Sequence, residues 1–253
     1  MTARSQAIRN VAEHLEMLRE CGQTQVEVDM NALRTLNSKS PASTGATTQK
    51  KPTPESSSIA IPDAAEALKA IATRIAACKK CGLHCTRNKT VPGQGKINPE
   101  IMFIGEGPGA DEDEQGLAFV GRAGQLLTKI IEAMGLARDE VFIGNIVKCR
   151  PPENRAPEPE EMEACIPYLK EQIAILKPAV IVCLGATAVK GLFGVEPNGI
   201  TKIRGQWRTY EGIDVMPTYH PAYLLRNPPA KKDVWEDMKT VLHHLGKPIP
   251  ANR

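Results

Sequence analysis

Apolar residues follow two rhythms along this chain. Short, largely apolar runs at residues 101–104, 141–147, 179–184 and 213–218 have the form of strands buried on both faces. Between them apolar positions return every three or four residues. One such face carries Leu126, Leu127, Ile130, Ile131 and Met134 and is ended by Gly135. Others cover residues 159–176 and 187–192, and a last one carries Trp235, Met238, Val241, Leu242 and Leu245. Strand and helix in alternation predict an α/β fold, a three-layer α/β/α sandwich around a four-stranded parallel sheet. The strand ends then carry Gly105 to Gly109, Asn145, Gly185 and His220 to one crevice, where open α/β sheets bind their ligands.

Ahead of this core, residues 1–37 hold one amphipathic pattern, Ile8, Val11, Leu15 and Leu18, with Gly22 as a stop. Residues 38–58 are rich in Ser, Thr and Pro and nearly free of large apolar side chains, too few to offset the entropy of ordering. The reading is an N-terminal extension over 1–37, a linker over 38–58, a core domain over 59–247 and a short tail over 248–253. The core opens with a helix capped by Asp63 and Glu66 and faced by Leu68, Ile71, Ile75 and Cys78.

Composition changes the picture little. The 253 residues carry a net charge of +3, which permits a nucleic-acid partner without demanding one. With no signal-type apolar segment and no run of bilayer length, a soluble, cytoplasmic protein is expected. Seven cysteines, an odd number, point to metal ligands and buried thiols rather than a disulfide framework. Cys78 and Cys81 form a CxxC at the end of the first core helix, and Cys149 and Cys165 flank a polar, proline-rich loop. These four fit a closed site of thiolate ligands, for which zinc and an iron-sulfur cluster are both allowed. Cys183 lies in an apolar strand, Cys21 has no spaced partner, and Cys85 ranks below the four.

The most informative stretch is residues 101–127. A buried strand breaks into Gly105, Gly107 and Gly109, followed by an acidic loop, an exposed-looking Phe119 and a helix start. A second phrase, HPAYLLRNP at 220–228, sets a histidine at the end of the last strand. Prolines fix that loop on both sides, two leucines face the crevice mouth, and Arg226 follows as a phosphate-type contact.

Together GEGPG (105–109), AFVGRAG (118–124), NIVKCRPPENR (145–155) and HPAYLLRNP make the chain resemble a family 4 uracil-DNA glycosylase, the iron-sulfur branch of that superfamily, over about residues 71–245. The resemblance implies an enzyme of base excision repair that flips deoxyuridine out of single- or double-stranded DNA and hydrolyses its N-glycosidic bond, leaving an abasic site. Under it Phe119 stacks on uracil, with Gly107 beside the base. The Asn145 amide accepts from N3–H and donates to O4, a pattern that cytosine reverses. His220 resembles the residue that hydrogen-bonds O2 as negative charge collects on the leaving base. Glu106 is the candidate to orient or deprotonate water or to stabilise the cationic sugar, and its bulk near C5 the candidate to exclude thymine. Better-known members carry an aspartate one position later and a tyrosine two beyond that, where this chain has Gly107 and Gly109. Leu224 or Leu225 wedges into the base stack beside Tyr223 and Arg226. The resemblance favours a 4Fe-4S cluster on Cys78, Cys81, Cys149 and Cys165, structural in role, pinning the loop from Arg150 to Arg155 whose basic side chains face DNA phosphates. A monomer is expected.

Two rival classes use the same residues. Residues 105–110 formally fit a dinucleotide fingerprint, but Asp111, Glu112, Asp113 and Glu114 crowd the place of a pyrophosphate and no acidic residue ends the second strand. A non-catalytic module that binds uracil-DNA or other nucleic acid is the other, since fold does not fix function.

Overall fold

The structure, a computed structural model, describes residues 61–194 and 196–250. The chain divides into the units Met1–Ser58 and Ile59–Arg253. The helix expected within residues 1–37, the linker and the last three residues of the tail lie outside the described residues.

Six strands form one sheet: β1 (Gln94–Gly95), β2 (Ile101–Gly105), β3 (Phe142–Asn145), β4 (Val180–Leu184), β5 (Arg208–Tyr210) and β6 (Ile213–Thr218), in the order β1-β3-β2-β4-β6-β5. The inner four are mutually parallel and match the four expected from the sequence; β1 and β5 add antiparallel edges. The sheet is therefore larger than expected. Two- and three-residue strands are too short to carry a period, and β5 is only partly buried.

The inner strands are apolar on both faces because both faces are covered. Met102, Ile104, Ile181, Cys183 and Val215 face one core, shared with α1 (Ile61–Ala76), α4 (Pro159–Leu176) and α5 (Ala186–Phe193). Ile101, Phe103, Val180, Val182 and Met216 face the other, shared with α3 (Arg122–Ala133) and α8 (Lys231–His244). The side-chain period of two assigns neighbours to opposite layers, which produces the three-layer sandwich.

Three local expectations change. Helix α1 begins two residues before Asp63, which sits inside its first turn rather than capping it. The acidic stretch expected as a loop forms a short helix, α2 (Ala110–Gln115). The phrase from His220 also turns helical, as α7 (Pro221–Arg226), with Pro221 at its first position, where a missing N–H costs nothing. A one-turn helix α6 (Ile200–Ile203) precedes β5. The chain runs from β2 to β3 on one side, then crosses to β4 on the other, so the order reverses beside β2. The carboxyl ends of the strands at such a reversal leave a crevice.

Candidate active site

That crevice is a cavity of about 200 Å3 over the ends of β2, β3 and β6. Its wall includes Glu106, Gly107, Phe119, Asn145, Arg155 and His220, so six residues singled out from the sequence meet in one place.

Asn145 ends β3 and is 1% exposed. Its Oδ1 is buried and makes no hydrogen bond within the protein. The amide packs against Gly105, where a Cβ would stand 2.5 Å from Oδ1 and 2.5 Å from Cζ of Phe119. Only glycine lets amide and ring approach the strand end this closely. Gly107 is similarly pressed, its notional Cβ 2.6 Å from Cγ2 of Val147. An unpaired buried acceptor costs a protein about 1–3 kcal/mol, so an oxygen held this way at a cavity wall is fitted to a donor from outside.

His220 caps α7, and its Nδ1 accepts from the Ala222 N–H at 3.1 Å. Burial, with the charge of Arg226 adding to it, pushes its pKa down to about 4. The ring is therefore neutral near pH 7, and with Nδ1 accepting, the proton sits on Nε2 as a donor. The rings of Phe119 and His220 lie 5.6 Å apart at 34°. Phe119, exposed-looking in the sequence, is 6% exposed and has φ 52°. Glu106 is partly buried, and its Oε2 accepts from the Thr187 hydroxyl at 2.5 Å.

Four contributors were not found from sequence. Thr187 reaches Glu106 from α5, far along the chain. Glu112 bonds the amides of Gly109 at 3.0 Å and of Val120 and Gly121 at 2.8 Å. Its place three residues after Gly109, the capping spacing, was the available signal. This carboxylate already takes the Gly109 amide that a pyrophosphate would need, which argues against the dinucleotide reading. Asp113 ties down Asn88 and Lys89 in the same way. Arg138 holds the carbonyls of Ala118 and Phe119 from behind.

Beside the cavity, α7 separates the two leucines expected to act alike. Leu224 is 1% exposed and packs in the core with Val234, so it does not face the crevice mouth; Leu225 is 43% exposed. Adjacent residues of a helix point about 100° apart, so Leu224 can face the core while Leu225 faces solvent. Tyr223 and Arg226 are exposed with Leu225. Arg155 is held by Glu161 at 2.7 Å, so much of its charge is already met by a carboxylate.

Cys78, Cys81, Cys149 and Cys165 line a second cavity with Lys148 and Tyr168, and all four are free thiols. Helix α1 ends at Ala76, so the CxxC lies in the turn just beyond it, with the Cys78 amide bonded to Ile75. Burial raises Cys81 to about 11 and Cys165 to about 12, and Cys149 is raised as well; the mutual repulsion of the thiolates adds to each. Four soft sulfurs that repel one another as anions form a donor set suited to a multiply charged cationic centre. Two donors already point at the sulfurs: Arg87 Nη1 at 3.1 Å from Cys149 Sγ, and the Lys148 amide at 3.2 Å from Cys165 Sγ. Lys148 is fully buried, and its ammonium bonds Gln172 at 2.8 Å with no carboxylate beside it among the described residues. A buried cation needs an anion nearby, which the four sulfurs would supply once a metal centre had deprotonated them.

A family model described as the uracil DNA glycosylase superfamily matches residues 92–239. The type-4 uracil-DNA glycosylase of Sulfurisphaera tokodaii is 49% identical over 184 residues, covering 70% of this chain and 84% of that one. That of Saccharolobus solfataricus is 47% identical over 188 residues, 71% and 87% of the two chains. That of Archaeoglobus fulgidus is 42% identical over 193 residues, 74% and 97%.

Proposed function

Since the chain belongs to the uracil DNA glycosylase superfamily, we propose that the cavity over β2, β3 and β6 receives a deoxyuridine flipped out of DNA and hydrolyses its N-glycosidic bond. The protein is a uracil-DNA glycosylase, a hydrolase of N-glycosyl bonds. The observation that carries the reading of the site is the Asn145 amide, whose buried, unpartnered Oδ1 shares the cavity wall with Phe119 and His220.

Each residue then has a part. Phe119 stacks on the base, a contact worth about 1–3 kcal/mol. Asn145 Oδ1 accepts from uracil N3–H and its amide nitrogen donates to O4. Cytosine, an acceptor at N3 and a donor at N4, would leave both buried groups unpaired. As the bond to C1′ lengthens, charge gathers on O2 and N1, and the Nε2–H of the neutral His220 donates to O2. A donor fixed in advance in this way contributes a few kcal/mol to the transition state. Glu106, one oxygen fixed by Thr187, holds the water that attacks C1′, and its side chain stands where the methyl of thymine would enter. Gly107, beside the base, lets the backbone there pack close against Val147. On the rim, Leu225 wedges into the base stack while Tyr223 and Arg226 meet the flanking backbone. Arg155 contributes less to phosphate binding, because Glu161 competes for it.

The thiols of Cys78, Cys81, Cys149 and Cys165 hold a 4Fe-4S cluster, which supplies a structural cross-link. Four soft sulfurs around one shared cavity are the donor set that such a cluster would use. Linking the turn after α1 to the loop between β3 and α4 would pin the residues 150–155 that flank the cavity. The catalytic unit spans 59–247, and a monomer suffices for it.

Release of uracil from a labelled oligonucleotide tests the proposal. Wild type should release it, and Asn145→Ala and His220→Ala should each lose most of the rate. A protein that binds uracil-DNA without cleaving it would be the non-catalytic module instead.

A further inference from the structure

Phe119 stands on a backbone that its side chain disfavours. Its φ of 52° lies in the left-handed region, where a bulky residue is strained and persists only if its surroundings over-determine it. The surroundings here are two opposite charges. Arg138, from the turn Arg138–Glu140 ahead of β3, donates through Nη2 to the carbonyls of Ala118 at 2.6 Å and Phe119 at 3.0 Å. Its Nη1 donates to Thr128 Oγ1 in α3 at 2.9 Å. On the following side, Glu112 accepts from the amides of Val120 and Gly121, both at 2.8 Å, while its second oxygen holds Gly109. A guanidinium therefore holds the carbonyls up to the kink, and a carboxylate holds the amides after it. Gly124 closes the arrangement from below: a Cβ there would stand 1.9 Å from the Phe119 carbonyl oxygen, so α3 lies directly under this peptide. Arg138 does not line that cavity and forms no ion pair among the described residues; its guanidinium bonds this loop and the helix beneath it.

We propose that Arg138 and Glu112 form a charge clamp that fixes the plane of the Phe119 ring, making both of them positioning residues for the base that stacks on it. The inference rests on reading the cavity as a uracil site. It separates two jobs within the acidic stretch: Asp113 fastens the neighbouring segment, whereas Glu112 acts on the aromatic ring through the backbone.

The experiment compares Arg138→Met and Arg138→Lys in wild-type and Phe119→Ala backgrounds, using single-turnover uracil release from a single-stranded oligonucleotide. Displacing a contacting group by about 1 Å costs on the order of 100-fold, so R138M should lose about 10- to 100-fold. R138K, which keeps the charge without the planar fork, should fall between. In the F119A background R138M should cost less than about threefold, because residues that act as a unit are not additive. Equal losses in both backgrounds, or a folded R138M within about threefold of wild type, would overturn the proposal. If R138M does not fold, R138K is judged on the same background comparison. A second readout does not depend on activity: with 4-fluorophenylalanine at the four phenylalanines, R138M should shift or broaden the 19F line lost in F119A and leave the other three in place. An unmoved line rejects the clamp. Wild-type protein that releases no uracil while that line moves rejects the reading of the cavity and leaves the clamp standing.

Discussion

Replacing Asn145 by leucine should make the protein more stable and nearly inactive. The side chain is 1% exposed and its Oδ1 is buried without a partner. Leaving such a group unpaired costs about 1–3 kcal/mol, and an apolar group of similar shape removes that cost. Leucine keeps the branched shape and the number of heavy atoms; its methyls are bulkier than the amide oxygen and nitrogen, and although the space against Gly105 is tight, the cavity side is open. A net gain of about 1–2 kcal/mol remains, which for a domain of this size raises Tm by roughly 2–8 °C. Uracil release should fall by at least about 1,000-fold, since a site built to pair a base edge loses both hydrogen bonds at once. Thermal unfolding followed by circular dichroism without DNA gives the first quantity, and single-turnover release of uracil gives the second. A variant that melts below wild type would show that the amide oxygen carries no unpaired burden. One that releases uracil within about threefold of wild type would remove Asn145 from base reading.

The pKa of His220, pushed down from 6.5 to about 4, makes folding disfavour its protonation. Its contribution is whole above about pH 6.5 and is lost as pH falls towards 4, so His220→Gln should flatten the slope of Tm against pH in that window; parallel slopes would refute this. Leu224→Ala should cost about 2–5 kcal/mol of stability, while Leu225→Ala leaves Tm nearly unchanged and slows release from paired more than from single-stranded uracil. The reverse pattern would exchange the assigned faces of α7. Purified protein should carry iron and a broad visible absorbance, and Cys165→Ala should lose both and melt earlier; stoichiometric zinc without iron would overturn the cluster.

Much of the fold was legible in the chain because burial on both faces leaves a local mark. Strands such as β2 and β4 must be apolar at every position, and helices such as α3 and α8 must be apolar every third or fourth. The parallel core, the crevice and the four cysteines follow from those marks and from spacing. Asn145 and His220 were visible because each ends such a strand.

What tertiary structure alone decided depends on neighbours distant in the sequence. The edge strands β1 and β5 are too short for a period and exist only because β3 and β6 offer them a ladder. Leu224 and Leu225 are chemically alike and adjacent, and the core around Val234 determines which of them is covered. The capping spacing from Gly109 singles out Glu112 within the acidic stretch, but nothing there says that the same carboxylate also meets the amides of Val120 and Gly121. Phe119 is buried, at a φ that sequence does not announce, because Arg138 and Glu112 close on it from opposite sides. Local burial patterns are written residue by residue; hydrogen bonds across a loop arise only when the folded chain brings their two ends together.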